Sequence, residues 1–183
     1  MMDRYLNYVL ECNQIIPTRV NAGLLALFCL GSVMLLAQFG YKRGVKWSAR
    51  LLLLEFLFWL LALTVLYRPE YAERVSRFTP FWSYRLVQEG GHDLLLIQII
   101  MNVVAFIPFG FLLGCSFSKG KWWKVALFAA GFSLFVETLQ FVTKRGYAEF
   151  DDVFHNVVGA MIGYGVYVGV KWVVRKLVTF NPN

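Results

Sequence analysis

Charge is scarce in this 183-residue chain: Asp, Glu, Lys and Arg make up 16% of it, against roughly 25% in soluble domains. The chain is 58% hydrophobic, and its apolar residues come in long blocks instead of alternating patterns. That excludes an ordinary soluble domain and points to the membrane. Cysteine is scarce as well. Cys12, Cys29 and Cys115 are scattered, odd in number and free of any CxxC or zinc spacing, so no disulfide framework is expected. Cys29 and Cys115 sit in apolar context and read as filler. Internal repeats and low-complexity tracts are absent. Met1 to Arg19 has no early basic region followed by a short apolar core, so no signal peptide is expected. In that segment Tyr5, Leu6, Val9 and Leu10 recur at helical spacing. It either lies along the membrane surface or is a frayed end.

The apolar blocks approach or exceed the roughly 20 residues a helix needs to cross a bilayer. Five spans are expected, about Val20 to Phe39, Ala49 to Tyr67, Leu94 to Gly114, Trp122 to Thr143 and Val153 to Val174. In hydrocarbon the backbone must bond to itself, so the fold class is all-α, a polytopic membrane helix bundle. The net charge is +7, but the basic residues form no continuous face, and nucleic acid is not an expected partner. They fall instead in connecting segments. Lys42, Arg43, Lys46 and Arg50 follow span one, Lys119, Lys121 and Lys124 follow span three, and Lys171, Arg175 and Lys176 close the tail. Those segments hold no acid. Every acid except Glu55 and Glu137 falls in the other set of loops. The positive-inside rule then predicts N-terminus outside and C-terminus cytoplasmic, although counting Lys and Arg alone narrows the margin. Trp47, Trp122, Trp123 and Trp172 lie near the cytoplasmic boundary, and Trp82 and Tyr147 near the outer one. One membrane domain is expected over 1–183, with 1–47 holding the N-terminal segment and first span and 48–176 the core. The location expected is a membrane that the chain crosses several times.

Polar residues then converge at one depth. Glu137 lies roughly 9 Å below the outer end of span four and Asn102 roughly 12 Å below Asp93 in span three, at about 1.5 Å per residue. Glu137, Gln140 and Lys144 share a helix face, as do Asp152, Asn156, Gly159 and Gly163. Charged groups at a span centre cost about 2.5–3.5 kcal/mol each, so they should face one another and not lipid. Gly110 with Gly114 and Gly159 with Gly163 are small-xxx-small pairs that allow close approach. Two readings follow. Asn102, Glu137, Gln140, Arg145, Asp152 and Asn156 form an outward-opening ligand pocket, or they form a hydrogen-bonded knot that pins the helices.

Glu137 and Asp152 are the candidate acid–base pair if the site is catalytic. Acids with His155 could hold a divalent cation, but the DDVFHN spacing matches no fixed signature, so neither metal nor cofactor is expected. Arg145 could grip a carboxylate or phosphate, or pair with Glu149, Asp151 or Asp152. No serine or cysteine nucleophile stands beside a histidine in a recognisable motif. His92 reads as an interfacial histidine, and Glu55 as a helix-bundle acid without an assigned role. The loop from Arg68 to Asp93, with its TPFWSYRLV segment, either packs at the interface or covers the pocket.

Thr79-Pro80-Phe81, Asn102 with Phe106-Ile107-Pro108-Phe109-Gly110, Glu137-Thr138-Leu139-Gln140, and Arg145 followed by Asp152-Val153-Phe154-His155-Asn156 with Gly159 and Gly163 together resemble the VanZ-like family of small bacterial membrane proteins. The resemblance covers about Phe78 to Val168. It implies a role in resistance to lipoglycopeptides, teicoplanin in particular, exerted at the cell surface. The partners it suggests are membrane lipids and either a lipid-linked peptidoglycan precursor or the drug. Three functions stay open: an accessory protein binding such an amphiphile, an intramembrane enzyme acting on an envelope lipid or precursor, and a small lipid transporter. The sequence leaves the oligomeric state open.

Overall fold

The computed structural model describes residues 17–37, 42–90, 93–117 and 121–180. The expectations for Tyr5, Leu6, Val9, Leu10, Cys12, His92 and Lys119 lie outside them. Helix α1 runs Thr18–Ala37 and α2 runs Lys42–Leu61, and a π-helical turn, Ala62–Leu66, extends α2. After a short strand β1, Val75–Arg77, come α3, Trp82–Glu89, and two long apolar helices, α4, Asp93–Ser116, and α5, Trp122–Thr143. Strand β2, Tyr147–Glu149, leads into α6, Phe150–Phe180.

Four helices are long and apolar enough to cross a membrane, over Lys46–Leu66, Asp93–Ser116, Trp122–Thr143 and Phe150–Lys176. Within α1 the segment Arg19–Ser32 is an apolar helix shorter than these. The described chain therefore carries four candidate spans where the sequence reading has five. Leu51, Leu54, Phe58, Leu127, Leu134 and Phe135 all point away from the bundle. A continuous apolar exterior of this kind is the surface a lipid-solvated protein presents. The core is built from Leu52, Phe56 and Leu60 of α2, Phe106, Phe109, Leu112 and Leu113 of α4, Val125 and Ala129 of α5, and Ala160 of α6.

The α4–α6 pair is the most extensive contact in the bundle, and glycine makes it possible. A Cβ on Gly110 would sit 1.8 Å from the Ala160 carbonyl oxygen, and one on Gly163 would sit 1.9 Å from that of Ile107. The backbones meet because neither helix has a side chain there.

The end of the bundle that carries the α5–α6 turn is closed by structure the sequence does not announce. Strands β1 and β2 pair in parallel, with Arg77 opposite Glu149. The Tyr71 N–H donates to the Lys144 carbonyl at 2.8 Å. Phe81 takes the left-handed conformation, φ 59°, which costs a non-glycine residue about 1–2 kcal/mol. Its N–H donates to Asp151 at 2.6 Å, and its ring packs edge-on against Phe154. Helix α3 is thereby pinned over the start of α6. This loop packs along the bundle end and contributes only Arg68 to the cavity described next.

Candidate functional site

Helical spacing brings polar side chains from four helices to one level. Ser133, Glu137 and Gln140 follow one another on α5 at intervals of four and three, and Asp152 and Asn156 stand one turn apart on α6. Asn102 faces them from α4, Thr64 sits in the π-helical turn, and Arg68 lies just beyond it. Thr64, Arg68, Asn102, Glu137, Gln140, Asp152 and Asn156 line a cavity of about 60 Å³. Its other walls are Leu60, Ala105, Phe106, Phe132 and Val136. The volume exceeds the roughly 10–15 Å³ that one water needs. It is far below the roughly 300 Å³ of an ordinary ligand pocket. The cavity admits one small polar group, not a whole molecule.

The hydrogen bonds set each side chain's direction. Asn102 Nδ2 donates to Asp152 Oδ1 at 2.6 Å, tying α4 to α6. Asn156 Nδ2 donates to Ser133 Oγ at 2.8 Å, tying α6 to α5. Gln140 Nε2 donates to the Thr64 carbonyl at 3.0 Å. That carbonyl lies in the π-helical turn, an irregularity that recurs at functional sites because it loosens the backbone ladder. Gly146 leaves room for the amide, since a Cβ there would meet Gln140 Cδ at 2.9 Å. Glu137 Oε2 accepts the Glu149 N–H at 2.9 Å, so β2 is fastened to the carboxylate. Two buried acceptors, Gln140 Oε1 and Asn156 Oδ1, have no partner among the described residues.

Asn102, Glu137, Gln140, Asp152 and Asn156 thus share one wall, including both candidate catalytic carboxylates. Arg145 stands apart. Its Nη1 donates to the Leu66 carbonyl at 2.6 Å, and it lines no part of the cavity. The guanidinium in the wall is Arg68, whose charge acts on Glu137, Glu149 and Asp152. His155 points elsewhere: its Nε2 is 2.8 Å from the Tyr84 hydroxyl. Among the described residues no three His, Cys, Asp or Glu side chains converge as a metal-binding group.

Ser133, Thr64 and Arg68 are the residues that sequence reasoning missed. Ser133 sits one turn before Glu137 on the same face, so extending the polar stripe of α5 by one turn finds it. Arg68 lies past the end of the π-helical turn, where helical spacing gives no signal.

Glu149 adds a titration just outside the spans. Burial first, and then the negative charge of Asp152, push its carboxyl up to about 7, against the opposing charge of Arg77. A carboxyl that holds its proton more tightly folded than unfolded stabilises the fold while protonated. That contribution is complete below pH of about 4.5 and is lost as pH rises through about 7. The detergent-solubilised protein should therefore lose thermal stability between pH 5 and 8, and Glu149→Gln should flatten part of that slope. The difference is expected to reach on the order of 2 kcal/mol, a few degrees in midpoint. Glu137 and Asp152 remain in both proteins, so the gap between the two melting curves isolates Glu149. Parallel curves would contradict the assignment.

The sequence profile described as VanZ/LLP1 matches residues 24–174 of the chain, from within α1 through all four candidate spans. A curated relative, Protein VanZ of Enterococcus faecium, is 32% identical over 97 residues, which cover 53% of this chain and 55% of the relative. The chain thus spans about half the length of that curated relative. No solved structure matches it. With a profile match across most of its length and apolar helices of membrane-crossing size, the chain is a membrane protein and belongs to the VanZ/LLP1 family.

Proposed function

We propose that this protein lowers the binding of lipoglycopeptides such as teicoplanin at the cell surface by holding an amphiphile, either a lipid-linked envelope component or the drug itself. In this reading it is a multi-pass plasma-membrane protein with α1 as a fifth span, N-terminus outside and C-terminus cytoplasmic. Residues 48–176 form the core of its single membrane domain. The site opens on the outer side, where such drugs and their precursor targets are found.

One observation carries the reading: the polar cavity adjoins an apolar groove. The groove has a volume of about 390 Å³ and is lined by Leu53 and Leu57 of α2, Phe109 and Leu113 of α4, and Phe128 and Phe132 of α5, with Arg50 and Ser116 as its polar members. Phe132 belongs to both spaces, and its ring stacks on Phe109 at 5.7 Å. Leu60 and Leu57, and likewise Phe106 and Phe109, line the two spaces from successive turns of the same helices. A small polar chamber above an apolar groove of ordinary ligand size suits a molecule with a polar head and an aliphatic tail.

The test is surface binding of fluorescent teicoplanin to cells expressing wild type, Glu137→Gln or Asp152→Asn at matched levels. Wild type should reduce binding severalfold against cells lacking the protein, and each variant should restore most of it. Equal protection by all three would sink the cavity as the functional site. Envelope lipids and muropeptides profiled from the same cells separate the enzymatic alternative. A new species present with wild type and lost with both variants would replace the binding reading by a catalytic one, with Glu137 and Asp152 as acid and base.

A further inference from the structure

The polar cavity is unusual in what it withholds. Its wall is rich in hydrogen-bond acceptors that lack a donor. Glu137 and Asp152 contribute carboxylates, and each has one oxygen occupied by a protein donor. Gln140 and Asn156 contribute amide oxygens. Gln140 is 5% exposed and Asn156 is 7% exposed, and neither oxygen has a partner among the described residues. The orientation of the Gln140 amide follows from its neighbour: the Thr64 carbonyl can only accept, so the nitrogen must face it and the oxygen is the atom left over. The Nδ2 atoms of Asn102 and Asn156 each give one N–H to Asp152 and Ser133. Arg68 is the cation in the wall, which it shares with Glu137 and Asp152. One cation thus stands beside two carboxyl groups in the wall. A buried amide oxygen without a donor costs about 1–3 kcal/mol, and two in one cavity mark the place where donors are missing.

We infer that the polar cavity receives a primary ammonium group carried on a short alkyl stem. This inference rests on the amphiphile reading above and names the head. An ammonium brings three donors and no acceptor, which matches Gln140 Oε1, Asn156 Oδ1 and a free carboxylate oxygen. A phosphate or carboxylate head brings only acceptors and meets none of these needs. The other half of the wall decides between an organic ammonium and a bare metal ion. Leu60, Phe106, Phe132 and Val136 offer a metal no oxygen. They do suit a methylene stem, and an aromatic face attracts a cation. The cavity's volume of about 60 Å³ suits a group of this size and excludes a quaternary head.

The test uses the full-length protein in neutral detergent at constant ionic strength, with ethylammonium chloride as the probe. Thermal unfolding should show a saturable rise in midpoint, roughly 3–6 °C at ten times the dissociation constant. Sodium chloride, calcium chloride, tetramethylammonium chloride and sodium phosphate should give no such rise. Gln140→Leu and Asn156→Leu should each weaken ethylammonium binding at least tenfold. If one variant fails to fold, the other carries the comparison. An equal rise with sodium or calcium would make the site a metal site and overturn the inference. A rise with phosphate, or no saturable rise with ethylammonium, would overturn it as well. Competition separates the two proposals. If teicoplanin protection depends on Glu137 but ethylammonium does not bind, the amphiphile reading stands and the ammonium head falls. If ethylammonium binds and protection ignores the cavity, the head group is right and the proposed function is wrong.

Discussion

Gly163→Ala is expected to cost about 3 kcal/mol or more, close to the upper range for forcing extra atoms into a packed core. One methyl has so large an effect because it meets backbone. The added Cβ would lie 1.9 Å from the Ile107 carbonyl oxygen and 2.9 Å from the Phe111 nitrogen. No side chain can swing aside, so helices α4 and α6 must separate. The separation reaches the cavity, because Asn102 on α4 and Asp152 on α6 are joined by a 2.6 Å bond across the same interface. Gly163→Ala should therefore lower the melting midpoint by roughly 6–12 °C in detergent and also abolish ligand binding. Gly169 is the control. Among the described residues nothing lies within 4 Å of a Cβ built there, and Gly169→Ala should hold or raise the midpoint, since alanine favours helix over glycine by about 1 kcal/mol. If the two variants melted alike, close backbone approach would not be what holds α4 to α6.

The pairing of these glycines was legible in the sequence because small residues four apart on two apolar helices have little other use in lipid. The helices were legible for a similar reason: apolar blocks of this length leave the backbone no other way to bond. The meeting of Asn102, Glu137, Gln140, Asp152 and Asn156 at one level needed only helical rise and the alternating direction of the spans. What could not be read depends on where two distant segments touch. Strands β1 and β2 are three residues each, too short to show periodicity, and they pair across some seventy residues of sequence. Arg145 sits in the turn between the two polar helix ends, so proximity in sequence recommends it for the site. Its guanidinium instead reaches the Leu66 carbonyl left open by the π-helical turn. Arg68, which enters the cavity wall, belongs to a loop whose course no local pattern fixes. Composition suggests a fifth span in α1, a helix of 20 residues, Thr18–Ala37, about the length a crossing needs.

The neighbouring aspartates 151 and 152 should prove opposite in kind, and the effect at Asp151 is the larger on the fold. Successive residues on a helix point about 100° apart, as about 3.6 residues per turn requires. Asp152 therefore enters the cavity while Asp151 faces the start of α3. Its Oδ1 accepts the Phe81 N–H at 2.6 Å, and its Oδ2 accepts the Ser83 N–H at 3.0 Å and the Ser83 hydroxyl at 2.5 Å. The carboxylate thus caps α3 from another segment, in place of the cap that Phe81 cannot supply, and its charge complements the helix N-terminus. Asp151 is 1% exposed and Ser83 2%, so water does not replace the lost acceptor. Asp151→Ala leaves three donors stranded at about 1–3 kcal/mol each and also removes the bond that offsets the left-handed Phe81. The expected loss is about 4 kcal/mol. It should appear first as release of the loop and not as unfolding of the spans. Trypsin added to the detergent-solubilised protein should then cut at Arg77 and Arg85 at least tenfold faster than in wild type. Asp152→Asn, by contrast, should leave that cleavage rate unchanged while removing teicoplanin protection. The substituted amide would keep an oxygen for Asn102 but lose the charge that faces the cavity. Slow cleavage in Asp151→Ala, or fast cleavage in Asp152→Asn, would reverse the assignment. The division follows from helix geometry alone, because a single turn of α6 must both anchor α3 and furnish the polar wall.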